Sequence, residues 1–209
     1  MKKVISILSQ IAGLTLALVG GTAQALELPS YVHLRSISHA GSGCAAGTVA
    51  ENVSADGQAF TLLFDSYIAQ IGPGVPLTEK RKNCQINLDL DFPQGWSFTI
   101  ASIDYRGYGS LQRGVTGLQK ATYYFQGDAR QVSGQTTFSG PFDQDYQARD
   151  QIGLIAEVWS PCGATRALNI NSQVRLDNTR SPRSSGILTV DSIDGSFVTV
   201  FNLKWKRCR

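Results

Sequence analysis

Apolar and polar side chains alternate one for one along much of this chain, and the spacing of an amphipathic helix hardly occurs. Side chains of a strand point to opposite faces in turn, so a period of two marks a half-buried strand. The stretch LNINSQVRLDN carries the pattern cleanly, with Leu168, Ile170, Val174 and Leu176 on one face and Asn169, Asn171, Gln173, Arg175 and Asp177 on the other. RKNCQINLDLDF repeats it, setting Ile86, Leu88, Leu90 and Phe92 against Asn87, Asp89 and Asp91. The same reasoning predicts strands at 32–39, 60–70, 85–92, 96–105, 121–126, 135–139, 152–159, 167–177, 186–192 and 196–206. Between them IGPGVPL, DFPQGW, SGPFDQD and NTRSPRSSG hold the Gly, Pro, Asn and Asp that let a chain reverse. About ten strands separated in this way predict an all-β fold, an antiparallel β-sandwich. No turn stretch is long enough to link two domains, so a single domain is expected.

The first residues change the picture of where the chain works. Lys2 and Lys3 precede an apolar run from Val4 to Gly20 that closes on Ala23-Gln24-Ala25. That is the pattern of a secretory signal peptide over residues 1–25, cut before Leu26. Ser6, Ser9, Gln10 and the small-residue exit speak against a retained membrane anchor, and no cysteine lies near the cut to carry a lipid. The expected mature protein, 26–209, is therefore secreted or extracellular, with periplasm or cell surface as the bacterial equivalents and no stable membrane insertion. Taking 25 residues, two of them lysines, from 209 leaves 184 with 17 basic against 16 acidic side chains. A chain of that size buries one good core, and its near-neutral balance without a Lys/Arg cluster argues against a nucleic-acid partner.

Cys44, Cys84, Cys162 and Cys208 all lie beyond the cut, and an even count in an exported chain predicts two disulfides. Three pairings are open on sequence alone. Local pairing, Cys44 with Cys84 and Cys162 with Cys208, is favoured because each half of the chain then closes its own loop. Zinc ligation normally uses close C-x-x-C pairs, and these spacings are long.

Taken in order, GSGCAAGTV, FTLLFDSYIAQIGPG, RKNCQINLDLDFPQGWSF, DYRGYGSLQRGV, YYFQG, WSPCGATRALNINSQVRL, TVDSIDGS and LKWKRC resemble the family called domain of unknown function 4360, from about Val32 to Cys208. The resemblance implies small secreted proteins of fungi and bacteria with a mostly β fold, and it carries no established activity. It also implies that Cys44 and Cys84, and Cys162 and Cys208, are the paired positions. One departure is Ala45, where the family pattern leads one to expect proline after the first cysteine.

Candidate chemistry is sparse. The histidines are His33 and His39, and there is no G-x-S-x-G string, so a His-assisted nucleophile has little to build on. A glycosidase needs two carboxyl groups at a set distance. Glu157, sharing a face with Ile155 and Trp159, is the most suggestive acid, with Asp65 or Asp104 as a second. Asn87, Asp89 and Asp91 stand about 7 Å apart along one strand face, too spread for calcium unless loop acids such as Asp143, Asp145 or Asp194 join them. The row is expected to be the wet face of an outer strand, and no metal or cofactor is expected. DYRGYGS sets Tyr105 and Tyr108 about Arg106, with Trp96, Tyr123 and Tyr124 as possible neighbours; aromatic faces stack on sugars. Its plainer reading is an Asp104–Arg106 ion pair beside a buried tyrosine. Asn52-Val53-Ser54 is a glycan acceptor only in a eukaryotic source.

The sequence therefore predicts a non-catalytic extracellular module that binds polysaccharide or protein, with Tyr105, Arg106, Tyr108, Glu157 and Trp159 as candidate contacts. The rivals are a hydrolase built on Glu157 and a structural wall or matrix protein.

Overall fold

A computed structural model describes residues 28–31, 33–53, 55, 59–152, 158–162, 166–190 and 197–208. The predicted signal peptide lies outside these residues, as do Glu157, Ile155 and Asp194. The described residues form twelve strands and one short 3-10 turn, Leu77–Lys80. The strands are β1 (His33–Ala40), β2 (Val49–Val53), β3 (Ala59–Phe64), β4 (Ile68–Ile71), β5 (Arg81–Asp91), β6 (Trp96–Leu111), β7 (Thr116–Phe125), β8 (Gln131–Ser139), β9 (Phe142–Asp150), β10 (Leu168–Asp177), β11 (Gly186–Thr189) and β12 (Phe197–Arg207).

They make the two antiparallel sheets of a β-sandwich. The smaller sheet runs β1-β5-β10-β7-β8, and the larger runs β2-β3-β12-β6-β11-β4 with β9 added along the free side of β6. Strand β7 shows how the pattern dictates the packing. Gly117, Gln119, Ala121, Tyr123 and Phe125 are buried, while the alternate residues remain partly exposed. The inner faces of both sheets bring Leu62, Phe64, Ile86, Leu88, Phe98, Ile103, Tyr105, Tyr123, Phe125 and Ile170 into one core. Each such side chain contributes roughly 1.5–3 kcal/mol when fully buried.

The observed strands depart from the predicted ones where the apolar signal is weak. The predicted strand 60–70 is broken at Asp65, Ser66 and Tyr67 into β3 and β4, and β6 continues to Leu111. Strands β2 and β9 were not predicted, because VAENV and FDQDYQARD offer too few apolar positions. Strand β9 is held instead by a nine-residue backbone ladder to β6, Ile103–Asp150 through Leu111–Phe142. The predicted strand 152–159 is not supported at Val158 and Trp159, which belong to no strand. Their segment lies beside β6 through side chains and turns, with Thr99 donating to the Val158 carbonyl at 2.7 Å and Ser97 to that of Ser160 at 2.6 Å. A further correction concerns β5, which is an inner strand between β1 and β10 rather than an outer one.

Both disulfides have the local pairing. Cys44 joins Cys84 with Cα atoms 5.5 Å apart, and Cys162 joins Cys208 at 5.8 Å. The first ties the loop after β1 to an inner strand, with both cysteines wholly buried. Its loop spans 40 residues, for which the chain-entropy argument gives about 4 kcal/mol.

Changing Cys44 and Cys84 together to Ala is expected to lower the free energy of unfolding by roughly 2–4 kcal/mol, read as a lower denaturant midpoint. Gln119 offers the opposite case. It is completely buried on β7, and neither side-chain amide atom has a partner among the described residues. An unpaired buried polar group costs about 1–3 kcal/mol, so Gln119→Met is expected to raise the denaturant midpoint.

Candidate functional site

The sequence candidates are dispersed by the fold. Tyr105, expected to meet a ligand, is 1% exposed. The β6–β12 register shifts between Asn202 and Leu203, opposite Ser102 and Ile100. The extra residue resets the phase of β6, so that Ile103 and Tyr105 follow Phe98 and Ile100 inward. Inside, the Tyr105 hydroxyl meets that of Tyr123, and Tyr123 donates to Asp150 Oδ2 at 3.3 Å. Gly134 makes room for that carboxylate, since a Cβ there would lie 2.1 Å from Asp150 Cγ. Burial raises the Asp150 carboxyl above the ordinary aspartate value, with the Tyr123 bond opposing it, and burial drives both tyrosine hydroxyls upward. A second hydroxyl link, Tyr67 to Ser172 at 3.1 Å, joins the sheets elsewhere.

Arg106 and Tyr108 remain outside, on the open face of the larger sheet. Tyr108 is 38% exposed and donates to Asp143, while Asp145 is its cross-strand partner. The expected Asp104–Arg106 pair is replaced. Arg149, directly across the ladder, grips Asp104 with Nε and Nη2 at 2.6 and 2.8 Å. These bonds hold the Asp104 carboxyl below its ordinary value. An acid kept ionised in this way is unsuited to protonating a glycosidic oxygen. Trp159 is half-buried beneath the Lys206 ammonium, 4.0 Å from its ring centre. It follows Val158 alongside Thr99, nine residues and so roughly 30 Å along β6 from Tyr108.

The smaller sheet presents a different surface, which the sequence reading did not assemble. The row on β5 is braced sideways rather than merely wet. Asn87 donates to Asn169 at 3.0 Å, Gln85 to the Tyr124 hydroxyl at 3.3 Å, and Arg35 reaches Asp91 at 3.0 Å and Asp89 at 3.5 Å. Among the described residues no three His, Cys, Asp or Glu side chains converge to hold a metal ion. Across the sheet the outward residues form rungs of amides and hydroxyls. Asn87, Asn169, Tyr124 and Gln131 make one, and Gln85, Asn171, Thr122 and Ser133 the next. The third, Asn83, Gln173, Lys120 and Gln135, contains a single charge. With strands about 4.8 Å apart the platform is roughly 14 Å wide over β5 to β8. The available signal was composition: the polar phases of these strands are mostly Asn, Gln, Ser and Thr.

These features define a disulfide-stapled, all-β secreted protein with a polar sheet face. The chain belongs to the family described as domain of unknown function (DUF4360), whose family model matches residues 30–208. An uncharacterized secreted protein of Arthroderma benhamiae (strain ATCC MYA-4681 / CBS 112371) is 50% identical over 180 residues, covering 86% of this chain and 73% of the relative. A solved carbohydrate-binding module, TmCBM61 in complex with β-1,4-galactotriose, covers 83% of this chain and 90% of its own at 8% identity and a TM-score of 0.28. That likeness is too slight to carry a ligand across. No described helix is long and apolar enough to cross a membrane.

The raised Asp150 carboxyl gives stability a definite pH slope. It binds its proton more tightly folded than unfolded, so its contribution is greatest below the ordinary aspartate value. That contribution is lost as pH rises from there through the folded value. Asp150→Asn is expected to be more stable than the parent at neutral pH, with the difference shrinking as pH falls through the folded value and closed by about pH 4; melting curves from neutral pH down to that point check the sign.

Proposed function

We propose that this protein is a non-catalytic extracellular module that binds polysaccharide on the outer face of its smaller sheet. The observation that carries the reading is the set of three consecutive rungs of amides and hydroxyls around Tyr124. Sugar hydroxyls both donate and accept, and Asn and Gln side chains do the same. A tyrosine ring adds a flat apolar face against which sugar C–H groups can rest. Repeated rungs suit a repeating ligand. A protein partner fits less well, because interface centres are depleted in polar surface and lean on aromatic or Arg anchors. Among the described residues the exposed large apolar side chains Leu28, Tyr31, Leu77, Tyr108 and Ile187 belong to none of the rungs.

The mature protein is expected to bind saturably in a pull-down on insoluble chitin, cellulose, glucan and peptidoglycan, retaining one of them. Tyr124→Ala with Asn171→Ala should weaken that binding at least tenfold, whereas Tyr108→Ala should leave it unchanged. Chelator should have no effect. Retention equal for the parent and the Tyr124/Asn171 variant would remove the platform as the site.

A further inference from the structure

Beyond the third rung the end of the sandwich holds a groove of about 660 Å³, reaching from Arg81 and Arg175 on the platform side to the inward-facing Leu176 and Ile71 of the two sheets. One rung further, Arg81 and Arg175 stand directly opposite each other in the β5–β10 ladder, both exposed and on the same face as Asn83 and Gln173. Like charges opposed across a ladder are destabilising. Among the described residues neither arginine has a salt-bridge partner, and neither does Lys80, which lines the same groove. The groove contains one carboxylate, Asp177, which accepts from the Thr179 amide at 2.8 Å. Arg180 and Arg183, exposed in the loop that forms the rim, add further positive charge. The remaining wall is mixed: Ile71, Leu176, Pro182 and Leu77, the last 77% exposed, give it an apolar part, and Asn178 and Thr179 a polar one.

Arg81, Arg175 and Lys80 form no salt bridge among the described residues, and although the charges of Arg175 and Lys80 act on Asp177, three cations against one acid leave a surplus that suits an anion; the forks of two arginines suit a planar carboxylate. The apolar part of the wall suits a ligand that is also a ring with C–H faces. The volume lies within the range of small-molecule sites, about 300–1,000 Å³. We infer that the groove binds the carboxylate of a uronic acid unit, so that the polysaccharide on the platform is an acidic one. This rests on the polysaccharide reading, since the groove continues the platform along the same two strands.

Titration with soluble alginate and polygalacturonate at low and high salt tests the inference, with dextran sulfate and the retained neutral polymer as comparisons. The parent should bind a uronate polymer, more weakly as salt rises. Arg81→Gln with Arg175→Gln should lose that binding at least tenfold while melting no lower than the parent, since the like-charge pair is gone, and keeping parental affinity for the neutral polymer. Arg81→Lys with Arg175→Lys should recover only part, because the charge returns without the fork. Equal uronate binding by the Gln variant and the parent would overturn the inference, as would dextran sulfate binding as tightly as the uronates with the same sensitivity. Neutral-polymer binding without any uronate binding would overturn the groove and leave the platform standing. Uronate binding lost in the arginine variant but untouched by Tyr124→Ala and Asn171→Ala would support the groove and remove the platform.

Discussion

Hydroxyl groups buried between two apolar sheets must find partners there, because leaving one unpaired costs on the order of a kcal/mol or more. Tyr105 from the larger sheet and Tyr123 from the smaller meet in the interior, and Asp150 accepts from Tyr123. Tyr67 and Ser172 make a second crossing. Unlike a hydrophobic contact, these bonds are directional and fix how one sheet lies over the other. Much of the local sequence serves that constraint. The bulge in β6 turns Tyr105 inward, Gly134 clears the space for a carboxylate, and β9 exists as a strand although its sequence is mostly polar.

The two outer faces carry out different work as a result. On the larger sheet, Asp104 with Arg149 and Tyr108 with Asp143 spend their charged and hydroxyl groups on cross-strand neighbours. Gly107, between the outward Arg106 and Tyr108, faces the other way: a Cβ there would lie 2.3 Å from the Thr189 carbonyl oxygen and 2.7 Å from the ring of Tyr146, which packs against the core. On the smaller sheet the inner strands are bordered on both sides, so strand pairing consumes their backbone groups and leaves side chains alone to meet solvent. A flat field of amides and hydroxyls is thereby exposed without a free strand edge in its centre. Among the described residues the arginines at its end are the one place where a ladder sets like charges directly against each other, and they also line the groove.

The inward row of β10, the apolar row of β5 and the local pairing of the cysteines were legible in the residues. Alternation is a direct consequence of strand geometry, and export with an even cysteine count constrains the staples. The all-β class and the secreted character followed from the same local facts. Strand β9 was not legible, because its partner supplies a backbone ladder rather than an apolar face to match. Nor was the placement of Tyr105, since one bulged residue inverts every side chain that follows it. Asn83, Gln173, Lys120 and Gln135 are far apart in the chain and become a rung only when β5, β10, β7 and β8 pair. Arg81 and Arg175 likewise meet through register alone. For the regularly alternating strands such as β5 and β10 the sequence by itself determined which face is wet and which is dry; only the tertiary structure decided the phase of β6 beyond its bulge and which wet residues stand side by side, because strand order and register are set by long-range pairing.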